Sequence, residues 1–281
     1  MQPGLYIIGT PIGNLSDMSP RAIETLQNVD LIVCEDTRVS GKLATHFDIK
    51  TRRIAMHEHN ERDMAGVVAD MIAGRLDANG AQVLEGTMPG LAVALISDSG
   101  MPTISDPGFR LVRECRVQKL SVFVVPGPTA FASALVLSGF PTDRFTFCGF
   151  FKDEKHLASD NKIRHTIIYY ESPNRIMDTI GTCARICPER RIAIVREITK
   201  IHEETIIGYP SELLNITPPR GEIVLIIEPA PDTKMSDNEI NEIVRDIVAG
   251  ANSTKDKAAE IAARTGISKS EAYEKVIKNG N

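Results

Sequence analysis

The chain has no tryptophan, no Cys-x-x-Cys pair, no excess of basic charge and no apolar stretch near the roughly 18 residues that a membrane span needs. Its longest apolar runs, Leu91 to Ile96 and residues 222–228, are too short to cross a bilayer, and no membrane association is expected. The opening MQPGLYIIGT lacks the basic region and apolar core of a signal peptide, so the expected location is cytoplasmic. Five scattered cysteines, Cys34, Cys115, Cys148, Cys183 and Cys187, form neither a disulfide framework nor a zinc ribbon and read as reduced thiols. The net charge of −5 supplies no global drive toward nucleic acid, which usually leaves a basic footprint, so any RNA binding must come from a local patch. What is present is an ordinary globular composition, 42% hydrophobic and 25% charged, which excludes disordered and collagen-like classes. At about 150 residues per domain, the 281 residues suffice for about two domains, each with its own core.

The first third alternates short aliphatic runs with amphipathic stretches, the pattern of strand and crossover helix in an α/β fold with a parallel sheet. Residues 4–9, 30–34, 91–97 and 121–125 read as strands, and 21–28, 39–47, 61–75 and 108–116 as helices. Ser19 and Pro20 supply an N-cap and a first helical proline. Turn residues crowd 76–90, including Asn79-Gly80, Glu85-Gly86 and Pro89-Gly90, which predicts a long loop. Val125-Pro126-Gly127-Pro128 breaks the pattern, and a helix over 129–138 opens a second unit. There strands at 144–148, 166–170, 191–195, 203–208 and 222–228 outnumber helices, with one helix over 174–186, so its sheet is expected to be mixed. Beyond residue 230 three helical periods follow, 237–249, 254–264 and 269–278. The expected domains are therefore 1–126, 127–230 and a helical module at 236–281.

Three stretches could carry chemistry. Gly9-Thr10-Pro11-Ile12-Gly13-Asn14 follows the first strand at the sheet edge where open α/β folds bind ligands. It is neither a dinucleotide loop, because Pro11 has no N–H and the third glycine is missing, nor a P-loop, which needs a lysine. Glu35-Asp36-Thr37-Arg38 follows the second strand to the same edge, or simply opens a helix with acidic groups at its positive end. His57-Glu58-His59 lacks a third ligand and reads as a polar loop, so no metal site is expected. The richest segment, residues 95–108, delivers three serines, two aspartates, two glycines and two prolines in quick succession, suited to close backbone approach to a ligand. Within it Asp106 can also serve merely to cap the following helix.

Eight ordered segments over about 220 residues, GTPIGNL, EDTR, SDSGMPTISDPG, VPGPTA, SGFPTDRF, YYESPNR, REITKIHEE and RGEIVLI, resemble the tetrapyrrole methylase (precorrin methyltransferase-like) superfamily. Specifically, they are similar to its RNA-modifying branch, the cytidine 2′-O-ribose methyltransferases of 16S ribosomal RNA. The resemblance implies two α/β domains with S-adenosylmethionine in the cleft between them, a small C-terminal helical module, a homodimer, and a cytidine of the decoding region, within the small ribosomal subunit, as substrate. It carries cofactor contacts onto Pro11 in the first turn, Ser97, Gly100, Met101, Pro102 and Ile104 in the glycine-rich loop, Thr129 and Ala130 in the third turn, and Glu171 at a strand end. Met101 stands where tetrapyrrole enzymes have an acidic residue. The segment after Phe150 is mixed in charge where relatives are rich in Pro, Arg and Lys.

A ribose hydroxyl is a weak nucleophile, so its methylation requires in-line positioning and help in removing a proton. Asp98 and Glu35 are the catalytic candidates, with Asp36, His57 and Glu171 also at the edge. Arg38, Arg175, Arg196 and Lys200 are candidate phosphate clamps, since guanidinium forks suit bidentate contact. The tail from Ser253, with a break at Thr265-Gly266 and Ser268 as a cap, has a helix-turn-helix pattern and a charge of +2; it either holds RNA or packs. Two other readings remain: a tetrapyrrole methyltransferase, against which the EDTR, YESPNR and REITKIHEE segments argue, and a non-enzymatic RNA-binding assembly factor.

Overall fold

A computed structural model of the chain describes residues 1–84, 88–231, 237–249, 253–265 and 267–279. Over residues 1–125 the strands β1 (Gly4–Ile8), β2 (Leu31–Cys34), β3 (Arg53–Ala55), β4 (Ala92–Leu95) and β5 (Val122–Val125) form one parallel sheet in the order β3-β2-β4-β1-β5. Between them run α1 (Pro20–Asn28), α2 (Thr37–His46), α3 (Glu61–Ile72) and α4 (Phe109–Val117). The central strands are apolar at every position because they are covered on both sides. Tyr6, Ile8, Ile32 and Ala94 meet α1 and α2 through Ala22, Leu26 and Ala44. Leu5, Leu31, Val33 and Val93 meet α3 and α4 through Val68, Ile72, Leu111 and Cys115. Right-handed crossovers dictate this sorting: connections moving one way along the sheet lie on one face and those moving back lie on the other. The loops leaving β1 and β2 therefore diverge from the loop leaving β4, which opens a crevice at the carboxyl edge.

After α5 (Ala130–Ser138), the strands β6 (Phe145–Phe150), β7 (Thr166–Glu171), β8 (Ile192–Arg196), β9 (Glu204–Gly208) and β10 (Ile223–Ile227) form a second sheet in the order β6-β7-β10-β8-β9. Only β6 and β7 run parallel, so the sheet is mixed. On one face Ala134 and Leu135 of α5 pack with Ile168, Val195 and Val224, and Ile12 from the loop after β1 joins the same cluster. On the other, α6 (Glu154–Asp160), α7 (Ile176–Ile186) and α8 (Pro210–Leu213) contribute Leu157, Ile180 and Leu213. Both sheets belong to one compact unit, Met1–Ala230.

The unit Pro231–Asn281 holds α9 (Asp237–Val248), α10 (Thr254–Thr265) and α11 (Lys269–Asn279), joined by a core of Val244, Ile261, Ala272 and Val276. Ser268 caps α11 by accepting from the Glu271 N–H at 3.1 Å. The expected turns at Glu85-Gly86 and Gly266 and the module start at 236 lie outside the described residues. Among the described residues no helix is long and apolar enough to cross a membrane.

The structure departs from the sequence reading in several places, among them α8, a four-residue helix where no helix is expected. The helix expected over 61–75 stops at Ile72, where Gly74 turns at φ 74° and bonds back to the Met71 carbonyl at 3.1 Å. The stretch 76–90 is not all loop, since Leu76 and Gln82 form an antiparallel bridge. The short β3 was not foreseen. Nor was α6, which lies in the mixed-charge segment, buries Leu157 and is capped by Asp153 accepting from the His156 N–H at 3.0 Å.

Candidate functional site

Three loops meet because two glycines touch. A Cβ on Gly9 would lie 2.6 Å from the Gly127 Cα, and one on Gly127 would lie 2.8 Å from the Gly9 Cα. Neither position admits a side chain, so the GTPIG and VPGPT turns stack backbone to backbone. The loop after β4 joins them: the Thr10 N–H donates to the Gly100 carbonyl at 2.9 Å, and the Thr10 hydroxyl reaches the Ser97 carbonyl at 3.2 Å. Thr103 and Ser105 hold positive φ of 74° and 64° in this loop. Across from it, the turn after β8 carries Glu197 at φ 51° and Thr199 at φ 68°. Such conformations cost about 1–3 kcal/mol each and persist only where surroundings enforce them.

These loops, with the ends of β7 and β10, wall a cavity of about 340 Å³. Of the residues expected to hold a cofactor, Gly100, Met101, Ile104, Thr129, Ala130 and Glu171 line it. Pro11, Ser97 and Pro102 do not; Ser97 and Pro102 are buried behind the loop, where the Ser97 hydroxyl donates to the Gly100 carbonyl at 3.1 Å. Sequence reasoning did not single out Ile12, Phe150, Tyr170, Ile198, Ile223 or Val224, which make most of the wall apolar. The signal for Ile198 was present in REITKIHEE, where an apolar residue interrupts charges. That for Ile223 and Val224 was indistinguishable from core.

The carboxylates divide into two groups. Glu35 and Asp98, the catalytic candidates, do not line the cavity; with Asp36, Thr37 and His57 they border a separate opening at the same sheet edge. Burial, then the charges of Asp98 and Asp36, push the Glu35 carboxyl up. Burial likewise raises Asp98, although its Oδ1 accepts from the Asp36 N–H at 3.3 Å. Asp36, hydrogen-bonded by Arg38, is held down to about 2. Inside the cavity wall stand Asp106, Glu171 and Glu222. Glu171 is fully taken up: it accepts from the Ser172 N–H and the Thr179 hydroxyl, both at 2.6 Å, and pairs with Arg175 at 2.7 Å. Glu222 pairs with Lys200 at 2.9 Å. Burial, then the charge of Glu35 and less so that of Asp98, pushes Asp106 up to about 6, against the lowering influence of the neighbouring Ser97 hydroxyl.

Asp106 does not cap α4, contrary to the simplest sequence expectation. Glu61 at the start of α3 does so instead, its Oε1 accepting from the Gly108 N–H at 2.9 Å and the Arg110 N–H at 2.8 Å. The four expected phosphate clamps all contact carboxylates: Arg38 with Asp36 at 2.6 Å, Arg175 with Glu171, Arg196 with Glu204 at 2.8 Å, and Lys200 with Glu197 and Glu222. Arg175 and Lys200 border the cavity through these partners. Arg38 stands at the acidic opening, and Arg196 lies farther along β8, donating also to the Arg220 carbonyl at 3.1 Å. His57 and His59 stack edge to face with centroids 5.9 Å apart.

Residues 4–214 match the family model of the Tetrapyrrole (Corrin/Porphyrin) Methylases. The chain is similar to proteins named ribosomal RNA small subunit methyltransferase I. With that of Vibrio cholerae it shares 40% identity over 237 residues, covering 80% of this chain and 77% of the relative. With that of Synechocystis it shares 37% over 286 residues, covering 96% of each, and with that of Haemophilus influenzae 39% over 285 residues, covering 96% and 95%. Among solved structures, uroporphyrin-III-C-methyltransferase from Thermus thermophilus superposes with a TM-score of 0.54 at 15% identity, over 81% of this chain and 94% of that one. Diphthine synthase superposes with a TM-score of 0.59 at 10% identity, over 80% and 89%. At such identities these two structures speak for the fold.

Proposed function

The chain belongs to the tetrapyrrole methylases and, within them, to the ribosomal RNA small subunit methyltransferase I family, and on that premise we propose that it methylates the ribose 2′-hydroxyl of a cytidine in the decoding region of 16S ribosomal RNA, with S-adenosylmethionine as donor. The observation that carries this reading is the cavity at the crevice of the parallel sheet. Its volume falls in the range of small-molecule sites, about 300–1,000 Å³. Apolar side chains on two sides suit an adenine and a methionyl chain, and Gly100, at φ 81° with Ile12 3.2 Å from where a Cβ would sit, lets backbone approach a ligand. We assign Gly100, Met101, Ile104, Thr129, Ala130 and the Glu171 strand end to holding the donor, with Pro11, Ser97 and Pro102 shaping the loops behind them. The donor, when bound, supplies an electrophilic methyl group on a sulfonium.

The protein's own work is positional. We place the acceptor ribose at the carboxyl edge of the first sheet, between the cavity and the acidic opening, with Glu35 and Asp98 on the acceptor side. Arg38, exposed and paired only with Asp36, exchanges that carboxylate for a phosphate at little cost, since exposed pairs are worth about 0–1 kcal/mol; Arg175, Arg196 and Lys200 keep their carboxylates and offer remaining N–H donors to the RNA backbone. Negative charge at the opening keeps phosphates on this rim and out of the pocket. The chain works as a homodimer: α5 is apolar on all sides, and Val136 on it is 75% exposed, a face that a second copy would cover. Within Met1–Ala230 the boundary between the two α/β halves falls at 126–127, and the helical module is a further RNA contact. Small subunits as substrate place the enzyme in the cytoplasm.

Calorimetric titration with S-adenosylmethionine, followed by transfer of labelled methyl to small ribosomal subunits, free 16S RNA and a tetrapyrrole, tests the reading. Binding with label on the RNA supports it. Label on the tetrapyrrole alone indicates a small-molecule enzyme, and absent donor binding leaves an assembly factor; either overturns the proposal.

A further inference from the structure

We propose that Asp106 accepts the proton of the acceptor hydroxyl during methyl transfer, an assignment that rests on the function proposed above. Three carboxylates line the cavity, and two of them are occupied. Glu171 is bound by Arg175, Thr179 and the Ser172 N–H, and Glu222 by Lys200. Their carboxylate oxygens are engaged by these partners and are not free to take a further hydroxyl. Asp106 has no cation partner among the described residues and only a neutral hydroxyl, Ser97, beside it. Its most obvious structural duty, capping α4, is discharged by Glu61. What remains is a carboxylate in the cavity wall with no structural task that accounts for it.

Its surroundings suit a base. Burial disfavours its charge, and Glu35 and Asp98 add like charge from the ends of β2 and β4. Tyr170 on β7 lines the same cavity; burial first, and the charge of Asp106 less so, raise its phenol, so it stays protonated. A base whose proton affinity sits just under the working pH combines a large ionised fraction with real driving force for proton transfer. Asp106 lines the cavity on the side of the loop after β4, and it feels the charges of Glu35 and Asp98, which border the acidic opening at the same sheet edge. In the step, the acceptor oxygen bonds the methyl carbon, the carbon–sulfur bond breaks with its pair passing to sulfur, and the hydroxyl proton moves to an Asp106 oxygen and then to water. Glu35 and Asp98 act as positioning residues that keep Asp106 basic.

The test uses the full chain with Asp106→Asn, Asp106→Glu and Glu35→Gln. Single-turnover methyl transfer to small subunits is followed across pH, S-adenosylmethionine affinity is measured by calorimetry, and aspartate carboxyl carbons are titrated by NMR. In the wild type the rate is expected to climb with pH and level off above about 6, in step with the carboxyl signal that Asp106→Asn removes. Asp106→Asn should bind the donor within about threefold yet transfer roughly 10²-fold or more slowly, without that climb. Asp106→Glu should restore part of the rate and the climb, and Glu35→Gln should move the midpoint to lower pH. An Asp106→Asn enzyme with the wild-type rate and profile overturns the proposal, and so does a donor affinity that falls as far as the rate, which would make Asp106 a donor ligand. If Asp106→Asn does not fold, a midpoint unmoved by Glu35→Gln overturns it. A wild-type enzyme that methylates no RNA instead defeats the underlying function.

Discussion

Glu61→Ala should unfasten the loop that forms the cavity from the helix that anchors it. Glu61 is 8% exposed and sits at the start of α3, and its carboxylate reaches across to the first turn of α4. Alanine strands the buried Gly108 N–H, at about 1–3 kcal/mol, and leaves the Arg110 N–H to water at about 1 kcal/mol. The pair with the Arg110 guanidinium, at 3.9 Å and half in solvent, adds little. The sum is roughly 2–4 kcal/mol, a fall in Tm on the order of 5–15 °C for a unit of this size. Glu61→Gln keeps an acceptor and should cost about half as much. Thermal and urea unfolding measure both. Because α4 follows directly on residues 97–108, calorimetry should also show weaker donor binding for Glu61→Ala than for Glu61→Gln. A loss below about 0.5 kcal/mol for Glu61→Ala, or equal losses for the two variants, would refute the capping argument.

Gly9→Ala forces a methyl group against the Gly127 backbone, so donor affinity should drop by about tenfold or more while the fold survives; unchanged affinity would mean the turns can part. Arg190→Met leaves the Glu228, Ile163 and His165 carbonyls and the Asn161 side chain without their donor, and should cost about 3–5 kcal/mol in urea unfolding. Asp106 is raised to about 6 in the fold, against the ordinary aspartate value when unfolded. Its charge therefore opposes folding above about pH 6 and is absent from both states below about pH 3.5. Asp106→Asn should raise Tm at about pH 8 and not at about pH 3.5; a gain of equal size at both would show that the charge is not the cause. Val136→Glu should convert a dimer to a monomer in sedimentation velocity, and an unchanged assembly would place the interface elsewhere.

The elements that could be read directly were those whose own residues decide them. Ser19-Pro20 caps α1 with local chemistry, Ser19 Oγ accepting from the Ala22 N–H at 3.1 Å, and the continuous apolar runs of β2, β4 and β10 announce burial on both faces. β3 is three half-buried residues, Arg53–Ala55, that pair with β2 alone, too short for a pattern. α6 is seven residues with one buried side chain, Leu157. At the site, the motifs placed Gly100, Met101, Ile104 and Thr129 in one loop system, but which residues face the cavity depends on partners distant in sequence. Glu61 caps a turn 47 positions away, which separates Asp106 from the role its Asp-Pro-Gly context suggests. Likewise Gly9 meets Gly127 because β1 and β5, distant in sequence, are neighbours in the sheet with Ile8 opposite Val125, a pairing that no local signal encodes. The net charge of −5 described an average surface, while the proposed RNA contacts are a few basic side chains around the site together with the helical module.

The most direct test is mass-spectrometric mapping of 16S RNA from small subunits incubated with the enzyme and isotopically labelled S-adenosylmethionine. The account predicts one labelled methyl on the ribose of a decoding-region cytidine, seen as a nuclease-resistant dinucleotide. Label on a nucleobase, or no label on 16S RNA despite donor binding, would contradict it.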